Sequence, residues 1–302
     1  AAAPSIPTLN PGTSKIAVII AKGTIYDGEQ PAGSIGSDSI SALIKQARED
    51  QNVKALVMRI DSPGGSATAA EQIRYELELT QQTGKPVVVS MATYAASGGY
   101  WISATANQIL ASPTTITGSI GTFLLFPTFN QSLAEIGVYS DGIGTNALSG
   151  ALNPLQSLNP ALQQILDLAI NNTYQQFISL VARGRDMTPD AVDRIAQGRV
   201  WAGTTALDLG LIDAIGGLED AIDSAASLAG LGEFETLYIE KQLSPKDLLI
   251  NELLRGGTDV AARVIDTRSL SLVSRLRSEF DDLLQMSREP GIYLQCLVCR
   301  PQ

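Results

Sequence analysis

Residues 53–65 read Val53-Lys-Ala-Leu-Val-Met-Arg-Ile60-Asp61-Ser-Pro-Gly-Gly65, and this stretch decides the fold class of the 302-residue chain. Its first eight residues form a short, mainly aliphatic run, which predicts a buried strand. The paired glycines that follow allow a tight turn with exposed amides. Residues 68–83 then carry a helical pattern, so the stretch predicts a strand, a turn and a helix in succession.

The same alternation extends to both sides of this unit. Short loops separate the predicted elements, an arrangement typical of parallel βαβ units in an α/β protein. Such sheets form their sites at the carboxyl ends of their strands. The predicted strands are Lys15–Ala21, Val53–Ile60, Pro86–Met91 and Gln108–Ala111, and the predicted helices are Ser39–Asp50, Thr68–Thr83 and Ala95–Ala106.

The second half of the chain is predicted to be mainly helical. Up to residue 240 it contains four helical patterns and one short strand: Leu162–Ala182, Pro189–Gln197, Thr204–Leu209, Leu218–Ala229 and the strand Leu237–Glu240. We therefore expect a linker over residues 1–14, an α/β domain over residues 15–240, and a C-terminal helical arm or tail over residues 241–302.

Composition excludes several classes of function. The chain has no histidine, so it contains no Ser-His-Asp or Cys-His catalytic unit, and any base for acyl chemistry must be another group, such as a lysine. A formal charge of −10 and the absence of a basic run argue against nucleic-acid binding. The sequence gives no metal-ligand spacing and implies no cofactor.

The chain ends offer little chemistry. Cys296 and Cys299 form a Cys-x-x-Cys near the C-terminus without further ligands, so we interpret them as a free pair or a local disulfide. Residues 1–11 are small, uncharged and proline-containing, which indicates a linker rather than a signal peptide. No apolar run reaches the length of a membrane span.

Two glycine-rich motifs follow neighbouring predicted strands. Asp61-Ser-Pro-Gly-Gly65 offers exposed amides that suit an oxyanion, although taken alone it is more simply a plain strand-helix turn. Ala95-Ala-Ser97-Gly-Gly-Tyr-Trp101 places Ser97 at the expected start of a helix, either as a nucleophile or merely as a helix cap. Because both motifs are expected at one edge of the sheet, together they have the layout of an acyl-transfer site.

A third motif, Thr117-Gly-Ser119-Ile-Gly121, follows the fourth predicted strand. From its spacing alone Ser119 is an ordinary turn serine. These three motifs, in this order, resemble those of the signal peptide peptidase A family. The stretches Gly198-Arg-Val-Trp-Ala-Gly-Thr-Thr-Ala206 and Gly210-Leu-Ile-Asp213 resemble a later landmark of the same family, and the match is closest to the C-terminal half of its long bacterial form.

The resemblance implies a Clp-protease/crotonase-like fold and a serine peptidase with a Ser-Lys dyad. It implies that Ser97 is the nucleophile, that the amides of Gly65 and Gly98 form the oxyanion hole, and that Ser119 orients the lysine. Family members form homo-oligomers anchored in the cytoplasmic membrane, with the catalytic part on the periplasmic or extracytoplasmic side, and they degrade cleaved signal peptides. Membrane association would then depend on a segment absent from this chain.

One residue expected from the family is missing. Short family members carry the lysine downstream of the nucleophile, but the matching stretch, residues 144–152, has none, and no lysine occurs between Pro86 and Glu240. In the long form the lysine lies in the N-terminal half, so that half is the expected partner. Among the lysines of this chain, only Lys22 at the end of the first strand has a position that suits a base.

Two other functions remain open at this point. An acyl-coenzyme-A enzyme on the crotonase fold would share the paired-amide oxyanion hole, although the sequence has no basic cluster for the coenzyme. A non-catalytic scaffold half of an oligomeric protease would use Ser97 only as a helix cap.

Overall fold

The structure is a computed structural model that describes residues 12–31, 33–240 and 293–295. Its strands are β1 (Lys15–Lys22), β2 (Ile25–Tyr26), β3 (Ile35–Gly36), β4 (Val53–Ser62), β5 (Gly64–Ser66), β6 (Val87–Ala96), β7 (Gln108–Ala111), β8 (Ile116–Gly118), β9 (Val200–Ala202), β10 (Ala214–Ile215), β11 (Glu235–Tyr238) and β12 (Tyr293–Gln295). Its helices are α1 (Ser37–Glu49), α2 (Ala67–Gln82), α3 (Gly98–Ser103), α4 (Asn130–Glu135), α5 (Pro160–Gly184), α6 (Pro189–Ile195), α7 (Gly203–Asp208) and α8 (Leu218–Leu228).

The main sheet has the order β10-β7-β6-β4-β1-β11, and its neighbouring strands run parallel. Strands β1, β4, β6 and β7 therefore lie side by side in chain order, as the alternating pattern predicted. The nearly continuous burial of β4 is typical of a parallel strand covered on both faces. The predicted α/β class is confirmed.

Helices cover both faces of this sheet. On one face Ala17, Met58 and Val89 belong to the large core that also receives α1, α2, α3 and part of α5. On the other face Val18 and Val57 pack against the alanine-rich side of α8. This three-layer arrangement leaves the carboxyl ends of the central strands as the place where loops and side chains meet.

A second, small sheet lies beyond the end of β4 and has the order β12-β5-β2-β3. Its strand β5 is the paired-glycine motif itself, which pairs in parallel with β2 at Ile25 and Gly65 and antiparallel with β12. The glycine stretch therefore forms a short strand rather than the simple turn we expected. Gly65 has a φ of +154°, and a Cβ there would lie 2.0 Å from the carbonyl oxygen of Ile25, so only glycine fits this pairing.

Two boundaries around the second motif differ from the sequence expectation. Strand β6 continues to Ala96, whereas we expected helix from Ala95, because Tyr94–Ala96 pair with β8 instead of β7. Helix α3 is correspondingly short and begins at Gly98. The extra strand pairing carries Ser97 past the end of the sheet and onto the connection between strand and helix.

The ends of the chain lie mostly outside the described residues. The predicted linker over residues 1–14 is described only from residue 12, and the pair Cys296 and Cys299 is not described. Of the predicted C-terminal arm, only β12 is described, so the arm remains a prediction. Among the described helices, none has the length and apolar character needed to cross a bilayer.

Candidate active site

Ser97 occupies a strained position between β6 and α3. Its φ of 53° and ψ of −113° are unusual for a residue with a side chain, and such backbone conformations cost about 1–3 kcal/mol and persist only where the surroundings enforce them. The Ser97 amide donates to the carbonyl of Gly118 at 2.8 Å, and the Ser97 carbonyl accepts from the amide of Trp101 at 2.8 Å. A sharp strand-to-helix turn that presents a serine is typical of nucleophiles in α/β hydrolases.

The hydroxyl of Ser97 is not used as a helix cap. It makes no capping hydrogen bond to α3, although the residue is only 1% exposed. The interpretation of Ser97 as merely a cap therefore loses its physical basis.

Ser119 lies beside Ser97. Ala96 and Gly118 are paired across β6 and β8, and each serine is the residue that follows. Because paired strands lie about 4.8 Å apart, the two serines are direct neighbours. Ser119 also has a positive φ of 50° and donates its amide to the carbonyl of Arg199 at 2.7 Å. Both serines are therefore held in strained turns at the end of the same strand pair.

The paired-glycine motif reaches the same edge of the sheet. Ser62, at the end of β4, pairs with Ala95 of β6, two residues before Ser97. Helix α3 lies against β5, and a Cβ on Gly99 would lie 3.0 Å from the Ser62 carbonyl oxygen. Gly65 and Gly98, the expected oxyanion donors, thus belong to two elements in contact, β5 and the first position of α3.

The described C-terminal residues lie in this region as well. Strand β12 pairs antiparallel with β5, with Leu294 opposite Gly65 and Gln295 opposite Gly64. It also lies against α3, whose first residue follows Ser97. The extended backbone of β12 is therefore in contact with both β5, the paired-glycine strand, and α3, the helix that follows Ser97.

The lysines of the described residues, apart from Lys22, lie away from Ser97. Lys85 precedes β6, so the ten residues of that strand separate it from Ser97 by about 30 Å. Burial lowers the pKa of the Lys85 amine, but its Nζ donates to three carbonyls at the end of α1. Lys15 and Lys54 also lie at the amino ends of their strands, and Lys45 pairs with Glu49 within α1.

Lys22 lies at the carboxyl end of β1, as expected, on the Ser97 side of the sheet. Its side chain is 74% exposed, and its Nζ is 4.0 Å from Asp61 Oδ2. Lys22 therefore lacks the buried setting that makes lysine a base.

The Gly198–Ala206 stretch, which contains strand β9, supports the Ser119 turn. The sequence did not reveal this role. Strand β9 pairs antiparallel with β8, placing Trp201 opposite Thr117 and Val200 opposite Gly118. Gly118 has a φ of +78°, and a Cβ there would lie 2.9 Å from Cδ1 of Trp201. The indole N–H donates to the Ile195 carbonyl at 3.0 Å, which fixes the ring against the glycine.

No group of three or more acidic, cysteine or histidine side chains in the described part of the chain is arranged to hold a metal ion. What the site offers is a strained serine whose hydroxyl does not cap the following helix, a second serine beside it and a glycine strand nearby. These features fit an α/β protein that acts through a serine nucleophile.

The chain belongs to peptidase family S49, whose family model matches residues 80–232. That range includes Ser97, Gly98 and Ser119, while Gly65 lies before it. Membership confirms the family predicted from the motifs and makes the chain a relative of serine proteases.

Named relatives agree with this assignment. Protease 4 of Salmonella typhi is 42% identical over 288 residues, which are 94% of this chain and 46% of that protein. A putative signal peptide peptidase SppA of Enterococcus faecium is 32% identical over 223 residues, 72% of this chain and 65% of that protein. The chain thus spans about half the length of Protease 4.

Among solved structures, a mutant of the 1510-N membrane-bound stomatin-specific protease in complex with a substrate peptide is similar, with a TM-score of 0.48 and 19% identity. The similarity covers 80% of this chain and 98% of that one. It is too low to assign a role to any residue here.

Proposed function

We propose that this chain carries the nucleophile of a Ser-Lys serine endopeptidase that cleaves signal peptides left after secretion. Ser97 attacks the scissile carbonyl, the amides of Gly65 and Gly98 stabilise the oxyanion, and Ser119 orients the lysine. The single observation that carries the proposal is the strained backbone of Ser97, whose hydroxyl does not cap α3.

The reaction requires a base to take the seryl proton, because an unassisted hydroxyl is a weak nucleophile at neutral pH. A lysine performs this step when burial lowers its pKa. Lys22 is exposed and paired with Asp61, and the other described lysines lie elsewhere in the fold. The base is therefore supplied by the N-terminal half of the protein, which agrees with the half-length match to Protease 4.

The substrate is an extended peptide that lies along β5. Antiparallel pairing of β12 with Gly64–Ser66 supports this, because an extended backbone of the chain itself already lies along that edge. Addition of a peptide strand to a sheet edge gives affinity through main-chain hydrogen bonds. A cleaved signal peptide is such a segment, and the name of the Enterococcus faecium relative is consistent with that substrate.

The working protein is a homo-oligomer on the extracytoplasmic side of the cytoplasmic membrane, held by a segment outside this chain. This part of the proposal rests on the family resemblance. Exposed apolar side chains are concentrated between Leu125 and Leu168, including Ile136 and Tyr139, which supports association through that region.

Cleavage of a synthetic signal peptide by the complete protein tests the proposal. Ser97→Ala is expected to lower kcat by about 10⁴-fold or more, since removal of a serine nucleophile costs on this scale. Ser103→Ala is the matched control, because Ser103 lies in α3, the helix that follows Ser97, and its buried hydroxyl donates to the Gly99 carbonyl. Unchanged cleavage by Ser97→Ala, with assembly intact, would support a non-catalytic scaffold instead.

A further inference from the structure

Trp101 connects the strained serine to helix α2. Its backbone amide donates to the Ser97 carbonyl at 2.8 Å, and its indole Nε1 donates to Glu71 Oε2 at 2.7 Å. One residue of α3 is thus bonded both to the turn that presents Ser97 and to a carboxylate on the neighbouring helix. Movement of the indole would be transmitted to the Ser97 carbonyl over a single helical turn.

The carboxylate of Glu71 is itself fixed. Arg74 donates to both of its oxygens, from Nε at 2.7 Å and from Nη2 at 2.8 Å, and a third Arg74 nitrogen binds Glu78 at 2.6 Å. Burial raises the pKa of Glu71, but the hydrogen bonds from Arg74 and Trp101 outweigh it and leave the pKa below its ordinary value. Glu71 is therefore charged at neutral pH and accepts from the indole as a carboxylate.

The other side of the indole is packed against α5. The rings of Trp101 and Phe177 are tilted by 46° with their centroids 4.7 Å apart, and Phe177 is fully buried. Helix α3 is thereby clamped between α2 and α5. With only six residues, α3 has too little internal cooperativity to hold its first turn in place by itself.

We propose that Glu71 is a positioning residue that acts through Trp101 to hold Ser97 in its strained conformation. The proposal rests on the function assigned to Ser97 above. Strain at a functional residue persists only when neighbouring structure over-determines it, and the Arg74-Glu71-Trp101 chain of contacts supplies that restraint. Neither Glu71 nor Trp101 is assigned any contact with the substrate.

Two substitutions remove different parts of the restraint. Glu71→Gln deletes the charge, and the introduced amide would remain hydrated because Glu71 is 45% exposed and borders a cavity of about 500 Å³. Trp101→Phe keeps a ring against Phe177 but deletes the indole N–H. Glu76→Gln is the matched control, since Glu76 also lies on α2 and binds an arginine, Arg48, at 2.6 Å, but makes no bond to α3 among the described residues.

Peptide cleavage by the complete protein is expected to separate kcat from KM. Misplacement of a reacting group by about 1 Å can cost on the order of 100-fold, so we expect Glu71→Gln and Trp101→Phe each to lower kcat about three- to thirtyfold. In these two variants KM should change less than about twofold. In the control Glu76→Gln, kcat and KM should each change less than about twofold. The double variant should be little worse than either single variant, since the two residues act as one unit.

Hydrogen exchange at the amides of residues 98–103 gives a readout that does not depend on turnover. Glu71→Gln should speed exchange in this helix relative to Glu76→Gln, even if the wild-type protein cleaves no peptide and the proposed function is wrong. Equal exchange in the two variants overturns the positioning role. A lower melting temperature with unchanged kcat and unchanged exchange in α3 also overturns it, because Glu71 would then be purely structural.

Discussion

The backbone amide of Ser97 donates to the carbonyl of Gly118 at 2.8 Å, which joins the candidate nucleophile to the turn that carries Ser119. The two serines follow residues that are paired across β6 and β8, and both have positive φ angles. The Ser119 amide donates in turn to the carbonyl of Arg199 at 2.7 Å, so each turn is fixed by a backbone hydrogen bond. The predictions below test this arrangement and its surroundings.

Gly65→Ala is expected to destabilise the chain strongly, because its Cβ would lie 2.0 Å from the Ile25 carbonyl oxygen. Gly84→Ala is the matched control: its φ is also positive, at +85°, but nothing lies within 4 Å of its Cβ position. The loss in free energy of unfolding should be larger for Gly65→Ala by about 1–3 kcal/mol. Urea denaturation measures both, and equal losses would contradict the close approach of β2 and β5.

Removal of β12 is expected to expose the edge of β5. In a chain that ends at Gly291, combined with its N-terminal half, a fluorophosphonate should phosphonylate Ser97 at least about threefold faster, because a covered edge lowers the fraction of molecules that can react. A chain that ends at Gln295 keeps β12 and should match the full-length rate. The position of the peptide along β5 would be refuted by equal rates in the two truncations.

Lys22→Met should leave the rate of Ser97 phosphonylation in the complete protein within about twofold, because the Lys22 side chain is exposed and its Nζ lies 4.0 Å from Asp61 Oδ2 rather than in a buried site. Lys85→Met is the comparison: it removes three bonds to carbonyls at the end of α1 and should lower stability without slowing phosphonylation. Loss of phosphonylation in Lys22→Met alone would identify a base within this chain.

Tyr174 should make the free energy of unfolding depend on pH in the alkaline range. Burial, together with the hydrogen bond to Asp193 Oδ1, raises its pKa to about 12, while an unfolded tyrosine titrates near 10. The folded state favours the neutral form of Tyr174. Its contribution to the free energy of unfolding is therefore complete below about pH 10 and is lost as the pH rises through 12.

Urea titrations at pH 9, 10 and 11 check this prediction. The difference in free energy of unfolding between wild type and Tyr174→Phe should shrink as the pH rises over this range. A difference that stays constant would mean that the phenol titrates normally. Tyr100, whose pKa burial also raises, is unchanged in both proteins and so cancels from the comparison.

The parallel sheet was predictable because its strands β1, β4, β6 and β7 are apolar runs separated by helical patterns. The short strands β5, β8 and β9 were not, since three residues are too few to show a periodicity, and β5 and β8 also contain glycine, which is depleted in strands. Those strands nevertheless determine the site, because β8 extends β6 as far as Ala96 and β5 aligns the paired glycines.

The site itself was predictable only in part. Small neighbours and position after a strand singled out Ser97 and Gly65, and only the family resemblance singled out Ser119. The proximity of these residues depends on strand pairing that the sequence does not encode locally. The bond between Glu71 and Trp101 joins residues 30 positions apart, and nothing in the composition around either residue indicates it. Contacts of this kind follow from the packing of α2 on α3, not from any motif.

Phosphonylation of Ser97 by a fluorophosphonate, in which the seryl oxygen bonds to phosphorus and displaces fluoride, tests the central claim most directly when the modified residue is located by peptide mapping. The chain should be modified at Ser97 when its N-terminal half is supplied and much more slowly when it is alone, because the proposed base lies in that half. Modification at another residue, or an equal rate at Ser97 without the N-terminal half, would contradict the account.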